Sequence, residues 1–547
     1  MKEPELVTAT QEELDEILQR ARPALSDPQY RLLEGVLATF VYVMLELQNA
    51  KTSIKRFQRM LFGQRTEHKR NVLGHVVAED PHGQDAAGPG AGLANVVVPV
   101  PKPRPPGHGR NAAQAYSGAP IVECEHPELE SGDRCPECDQ GRVYDSPPKT
   151  LVKVVGQAPL GATAYRLQRL RCRLCDAIFT APLPAAVASL PKYDPSCASM
   201  IAVLRYGNGM PHFRLEGLQA SLYIPLPDAT QWDIISKAAP APRAVFEELI
   251  RHAAQAPLLH NDDTPMKVLS LMKERERAEA GGVKPVAKAI NTSGIVAVLQ
   301  DGAQHKQRRV VLFFTGHAHA GKNMERVLAH RAEELAPAMQ MCDALAANVA
   351  GEFTTIVANC LAHGRRQVVD VAEQFPEAAR HVVQALAEVY KHDAQCREQA
   401  YSPEQRLAFH QQHSRPVMDG LERWMAEQFD KRLVEPNSGL GKALNYLAKH
   451  WSELTLFLRK VGAPLDNNLC EQVLKRAIIH RKGSLFYKTV RGAQVGDIYM
   501  SLIHTCRLCD VNPFEYLNAL QQRAQQVTGA PARWLPWNFR EQLAAGP

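Results

Sequence analysis

Three acidic residues and four thiols carry the chemistry that this sequence offers. Glu471 stands in Pro464-Leu465-Asp466-Asn467-Asn468-Leu469-Cys470-Glu471. There Asp466 is expected to cap a helix, its side chain accepting from the free amides of the first turn. Steps of four place Asn467, Glu471 and Lys475 on one face, with Leu474 and Ile478 on an adjacent apolar one. From Lys475 to Arg491 the chain holds Lys475, Arg476, Arg481, Lys482, Lys488 and Arg491 and no Asp or Glu. A carboxylate aimed from a helix into so basic a neighbourhood suits a metal ligand acting on a polyanion. The plainer alternative is a surface Glu paired with Lys475.

Two further acids close apolar strands. Residues 256–265 read as a short buried strand ending in Asp262 and Asp263. Strands are expected over 295–300 and 309–315, both rich in β-branched and aromatic residues. A helix is expected over 319–335, a fourth strand over 339–343 closing on Asp343, and a fifth over 353–361. Three strands, a helix, a strand, a helical stretch and a late helix bearing Glu is the order of a ribonuclease H-like fold. In that order the first and fourth strands lie side by side, which would let Asp262 and Asp343 converge with Glu471.

Several segments resemble the insertion-sequence-sixty-six family of bacterial DDE transposases. They are Leu-His-Asn-Asp-Asp-Thr-Pro at 259–265, Cys-Leu-Ala-His-Gly-Arg-Arg at 360–366 and Asp-Asn-Asn-Leu-Cys-Glu-Gln-Val-Leu at 466–474. Leu61-Phe62-Gly63-Gln64-Arg65-Thr66-Glu67, the two Cys-x-x-Cys pairs and Asp510-Val511-Asn512-Pro513-Phe514 extend the likeness over nearly the whole chain. The resemblance implies a DNA transposase with the catalytic triad Asp262, Asp343 and Glu471. Asp263 is the rival to Asp262; the family places the essential residue first, so Asp262 is chosen and Asp263 assigned a supporting place. Water would free a 3′ hydroxyl at the element's end, and that hydroxyl would attack target DNA.

Such a reaction suits two Mg²⁺ ions, hard cations that prefer oxygen ligands, with Mn²⁺ as a substitute. Asp262 would bridge both ions, Asp343 hold one and Glu471 the other. His363, Arg365 and Arg366 match the family's His-x-Arg-Arg and would hold phosphate, with Lys475, Arg481 and Lys482 as further DNA contacts. Cys470 stands where a small residue is more usual. His317 and His319 are assigned to the surface, and Cys506 with Cys509 to a helical core.

Cys135, Cys138, Cys172 and Cys175 supply the four thiolates of one structural zinc site. Twelve cysteines with this pairing point to a reducing bacterial cytoplasm rather than to disulfides. The longest nearly apolar run, Leu37 to Leu45, is far short of a membrane span, and the N-terminus lacks a secretory pattern.

A chain of 547 residues is too long for one core, and its net charge of +6 is modest. Charge is concentrated instead: 51–70 holds seven Lys or Arg, among them Lys55, Arg56, Arg59 and Arg65, against Glu67 alone. An apolar seam of Leu33, Leu37, Phe40, Met44, Leu47, Ile54 and Leu61 precedes and overlaps it. The expected architecture is multidomain α+β. It comprises a helical, coiled-coil and DNA-binding region (1–77), a Pro/Gly linker (78–118) and a small zinc-ribbon-like domain (119–185). A helical connector with a candidate helix-turn-helix follows (186–250), in which Arg214 and Gln231 would face DNA. The ribonuclease H-like catalytic domain (251–375 and 462–500) is split by an all-helical insertion (376–461), and a C-terminal element closes the chain (501–547).

The expected partners are double-stranded DNA, both element ends and target, a second copy of the chain and accessory proteins of the same element. Two other readings compete. One is a zinc-containing DNA-binding regulator derived from a transposase; it gives no reason for three carboxylates at the metal positions. The other is a ribonuclease H-like nuclease that only cuts, which leaves the long N-terminal apparatus unexplained.

Overall fold

The computed structural model describes residues 17–37, 130–134, 136, 142–143, 159–171, 178–281, 289–300 and 307–545. The four zinc-site cysteines, the basic segment 51–70 and most of the apolar seam lie outside them. The chain divides into two compact units, one formed by Met1–Pro81 and Leu160–Pro547, the other by His82–Pro159. In the second unit, Arg134 and Arg142 form an antiparallel bridge. In the first, a hairpin pairs β1 (Arg169–Arg171) with β2 (Ile178–Thr180). No helix among the described residues is long and apolar enough to cross a membrane.

A five-stranded mixed sheet organises the larger unit. Its strands are β3 (Leu258–Pro265), β4 (Asn291–Gln300), β5 (Gln307–Gly316), β6 (Met339–Cys342) and β7 (Ile356–Asn359), in the spatial order β5-β4-β3-β6-β7. The β3-β4-β5 meander is antiparallel, whereas β6 and β7 run parallel to β3. Ile295, Val296, Val310, Val311 and Phe313 are buried, and all four residues of β6 are buried, as expected of strands covered on both faces. The helix after β5 is Ala320–Leu328, shorter than the expected 319–335. Pro337 disfavours helix at Ala336. Arg331 also draws the chain aside by donating to the carbonyls of Ala254, Ala256 and Ala336 at 2.6–2.9 Å.

Helix Pro240–Ala254, expected within a connector, packs Val245, Phe246, Leu249 and Ile250 into the same core as β4 and β5. The candidate helix-turn-helix has two helices, His212–Ser221 and Asp228–Ala238, and Arg214 is exposed. Gln231 corrects the expectation. It is 0% exposed, and its amide donates to the carbonyls of Leu226 (2.9 Å) and His212 (3.1 Å), holding the two helices together.

A second core gathers Val382, Leu386, Met418, Leu421, Leu444 and Leu447. They come from helices Pro376–Glu398, Arg415–Asp430 and Gly439–Lys449. Between the first two, helix Pro403–Phe409 opens on a capping box in which the Ser402 hydroxyl and the Gln405 side chain each accept from the other's backbone amide.

Helix Val490–Leu508 crosses residue 500, where a boundary between catalytic and C-terminal parts was expected. It lies along β5, and Asp497, Ser501 and Thr505 accept from the amides of Thr315 (2.7 Å), Phe313 (2.9 Å) and Val311 (3.0 Å). Four helical residues rise ~6.0 Å and two strand residues ~6.8 Å, so the two rows stay in step over three contacts. The sheet edge is thereby closed without another strand.

Candidate active site

Backbone register brings two of the three acids together. His260 of β3 pairs with Met341 of β6 in parallel, so two further steps put Asp262 level with Asp343, one residue past the end of β6. Alternation along β3 then separates Asp262 from Asp263. Asp263 turns to the face covered by helix Ala320–Leu328, where it accepts from the Ser293 hydroxyl (2.6 Å) and the Ala320 amide (3.0 Å). His319 Nδ1 lies 2.9 Å from Asp263 Oδ2; its side chain is at the surface, as expected, 43% exposed, and is also a partner of Asp263. A carboxylate at the start of that helix also complements its dipole.

Asp262 lies on the opposite face, with one hydrogen bond, from the Asp263 amide to its Oδ1 (2.8 Å). Burial, then the charges of Asp343, Glu471 and Asp263, push its carboxyl up to about 7. Asp262 therefore feels both other acids, although Asp343 lies 81 positions on and Glu471 a further 128.

Helix Asn468–Ser484 delivers Glu471 in its first turn. Asn467, not Asp466, is its cap residue, while Asp466 Oδ1 takes the Asn468 amide (3.1 Å). Asn467 is fully buried and works as a strut. Its Nδ2 donates to the Asn261 carbonyl (2.9 Å), its Oδ1 meets His260 Nδ1 (3.1 Å), and its amide donates to Cys360 Sγ (3.2 Å). On the strand side Gly294 pairs with Asp262, and a Cβ there would lie 2.9 Å from Leu474 Cδ2 and 3.6 Å from Cys470 Sγ. The missing side chain is what lets this helix lie against the sheet beside Asp262. Cys470 is buried, with Sγ 3.3 Å from the Gly294 carbonyl oxygen.

Asp343 is oriented from below. Asn348 Nδ2 donates to Asp343 Oδ1 (2.7 Å), and the Asn348 carbonyl accepts from Asn261 (2.7 Å) and Gln340 (2.8 Å). Neither Gly294 nor Asn348 stood out in the sequence. The Asp-Asn-Asn run held a signal for Asn467 alone.

Glu471 is 22% exposed, with Arg366 3.9 Å from Oε2 and His363 Nδ1 3.7 Å from Oε1. Both come from helix Leu361–Val369, which starts where β7 ends. Arg481 donates to Thr264 Oγ1 (3.2 Å) and to the Pro265 carbonyl, at the far end of β3. Lys475 and Lys482 are exposed on the Glu471 helix, and Arg365 is half-buried. The four N-terminal basic residues Lys55, Arg56, Arg59 and Arg65 fall outside the described residues.

The donor set fits hard divalent cations. It consists of carboxylate oxygens, Glu471 Oε1 is a buried atom without a hydrogen-bond partner, and like charges already crowd Asp262.

Relatives bear on what such a site serves. The uncharacterized protein y4jD of Sinorhizobium fredii is 26% identical over 387 residues, 68% of this chain and 71% of its own length. The uncharacterized protein y4hP of the same organism is 24% identical over 406 residues, 69% and 68% of the two chains. A third, y4qI, is 26% identical over 34% of each. The profile of the transposase IS66 family matches residues 192–495, more than half of the chain, a span that holds Asp262, Asp343 and Glu471. The chain belongs to the IS66 transposase family.

Proposed function

We propose that this transposase cuts DNA at the ends of an insertion sequence and joins the freed 3′ hydroxyl to target DNA, with Asp262, Asp343 and Glu471 as its catalytic acids. The observation that carries the reading is their convergence. Parallel pairing of β3 with β6 aligns the two Asp residues, and the Asn467 strut sets the Glu471 helix on the same strand. The order β5-β4-β3-β6-β7, antiparallel then parallel, supports a ribonuclease H-like catalytic domain split by the helices of 376–461.

Asp262, Asp343 and Glu471 would hold two Mg²⁺ ions, or Mn²⁺. When bound, these would supply charge stabilisation at the scissile phosphate and activation of the attacking oxygen. The chain's own groups do the rest. Asn348 and Asn467 hold two of the acids in place, and Gly294 keeps the gap between helix and strand narrow. His363 and Arg366 flank Glu471 as hydrogen-bond donors to phosphate, and Lys475 and Lys482 extend positive charge along the same helix. Recognition of element ends is assigned to 1–77, with Lys55, Arg56, Arg59 and Arg65 on phosphates, and a zinc ribbon to Cys135, Cys138, Cys172 and Cys175.

The test uses full-length protein, Mg²⁺ and labelled DNA carrying the ends of its own element. Wild type should release a 3′ hydroxyl and transfer it to target. Asp262→Asn, Asp343→Asn and Glu471→Gln should each lower cleavage by ~10³-fold or more, a loss of ~4 kcal/mol of transition-state stabilisation, with end binding kept. Cleavage retained in any one removes that residue from the triad. Cleavage without joining would make the protein a nuclease, and binding without cleavage a regulator.

A further inference from the structure

We propose that Cys360, His363 and Glu471 form a further metal site, selective for a thiophilic divalent ion such as Zn²⁺, whose occupation blocks the Mg²⁺ reaction. Cys360 follows β7 as the cap residue of helix Leu361–Val369, His363 lies in the first turn of that helix, and Glu471 comes from the neighbouring helix. Each offers a ligand atom, and the three atoms lie within 4.8 Å of one another. Tetrahedral zinc, with bonds of ~2.3 Å to sulfur and ~2.0–2.1 Å to nitrogen or oxygen, holds its ligands ~3.3–3.6 Å apart. Closing the cluster thus asks for ligand shifts of about 1 Å or a little more, within reach of side-chain rotation for His363 and Glu471.

The donor types set the selectivity. A thiol is a poor ligand for Mg²⁺ and a good one for Zn²⁺, and imidazole favours the same ion. Burial pushes the Cys360 thiol up to about 12, and the Asn467 amide donating to its Sγ (3.2 Å) offsets this only in part, so the sulfur becomes a ligand only as the metal displaces its proton. On binding, the metal–sulfur bond replaces S–H and the proton leaves to solvent. The charges of Zn²⁺, thiolate and carboxylate with neutral imidazole then sum to zero, so Arg366, 3.9 Å from Glu471, meets no net positive charge. Glu471 would thus be shared between a hard-ion side facing Asp262 and a soft-ion side facing Cys360. The metal-binding claim stands on this geometry alone; the blocking claim rests on the catalytic role given to Glu471.

The full-length protein, purified with its zinc retained, is titrated with Co²⁺. Wild type should develop a near-ultraviolet thiolate-to-cobalt band that added Zn²⁺ removes. Cys360→Ser should lack that band, and Glu471→Gln should keep it with the metal Kd raised ~10-fold or more. No band in wild type, or the same band and affinity in both variants, overturns the site. If Cys360→Ser fails to fold by circular dichroism, the Glu471→Gln affinity decides. Inhibition is read separately, each protein against its own rate without added Zn²⁺. The Zn²⁺ concentration that halves Mg²⁺-dependent cleavage should rise ~10-fold or more in Cys360→Ser. An unchanged value overturns the blocking claim, whereas a wild type that binds Co²⁺ yet never cleaves DNA leaves the site standing and defeats the transposition reading.

Discussion

Asp262 and Asp263 are consecutive, yet they serve opposite faces of β3. Asp262 faces Asp343 and the Glu471 helix, while Asp263 is tied to Ser293, His319 and Ala320. Replacing them should therefore fail in different ways. Asp263→Ala strips the partner from a buried hydroxyl and a helix-start amide, and should destabilise the fold by ~1–3 kcal/mol in denaturant titration. Asp262→Asn removes a carboxyl that burial disfavours as an anion. It should abolish cleavage while leaving the metal-free protein as stable as wild type or more so at pH 8.

The pH dependence follows from the same carboxyl, held up to about 7. Its folded-state value lies above the ordinary carboxylate range, so between about pH 4 and 7 the folded protein binds more protons than the unfolded one. Stability without metal should fall as pH rises through that window. Metal needs the anion, so apparent Mg²⁺ affinity should climb with pH, by up to ~10-fold per unit below 7, and flatten above it. Mg²⁺ titrations of cleavage at pH 6 and 8 check this; equal half-saturation at both would show that Asp262 does not titrate with the metal.

Gly294 offers a test at a residue that bears no chemistry. A methyl there meets Cδ2 and Cγ of Leu474, which must shift slightly, whereas a branched group would also push on Cys470 and the helix itself. Gly294→Ala should lower cleavage modestly, and Gly294→Val by ~10²-fold, the scale of a 1 Å displacement at a reacting centre. DNA affinity measured alongside should change little. Equal rates for Gly294→Val and wild type would mean that the helix is not set by this contact.

Local pattern explains why the elements that carry Asp262, Asp343 and Glu471 could be located in the sequence. A short apolar run marks β3, β-branched and aromatic runs mark β4 and β5, and Ser402-Pro403 marks a helix start that its capping box realises. What stayed hidden depends on partners far along the chain. Gln231 looks like an exposed helix polar residue until Leu226 and His212 close over it. His319 does lie at the surface, yet nothing local shows that Asp263, 56 residues away, meets it. Asn348 has no local signature, because what makes it matter is the carboxylate five residues back and the amides of Asn261 and Gln340. The role of helix Pro240–Ala254 in the sheet's own core was equally invisible, since an amphipathic stripe does not say which sheet it covers.

The row Asp497, Ser501 and Thr505 gives a stability prediction independent of DNA chemistry. Each of these side chains satisfies a β5 amide that would otherwise be buried beneath a helix with no acceptor. Asp497 is the most constrained. It also accepts from the Thr315 hydroxyl (2.6 Å), and burial pushes its carboxyl up to about 7. Ser501→Ala and Thr505→Val remove one acceptor each with little change in volume, so the loss is the desolvated amide rather than a cavity. Each should cost ~1–3 kcal/mol. Thr528→Ala, at an exposed hydroxyl bonded only within its own helix, should stay within ~0.5 kcal/mol of wild type. Together, Ser501→Ala and Thr505→Val act on neighbouring amides of one edge. The double variant should expose that edge to pairing with another chain and aggregate on heating where each single variant refolds. If both single variants match the Thr528→Ala control in urea titration, the hydroxyls are incidental, and apolar packing of Ile498, Leu502 and Ile503 holds the helix to β5.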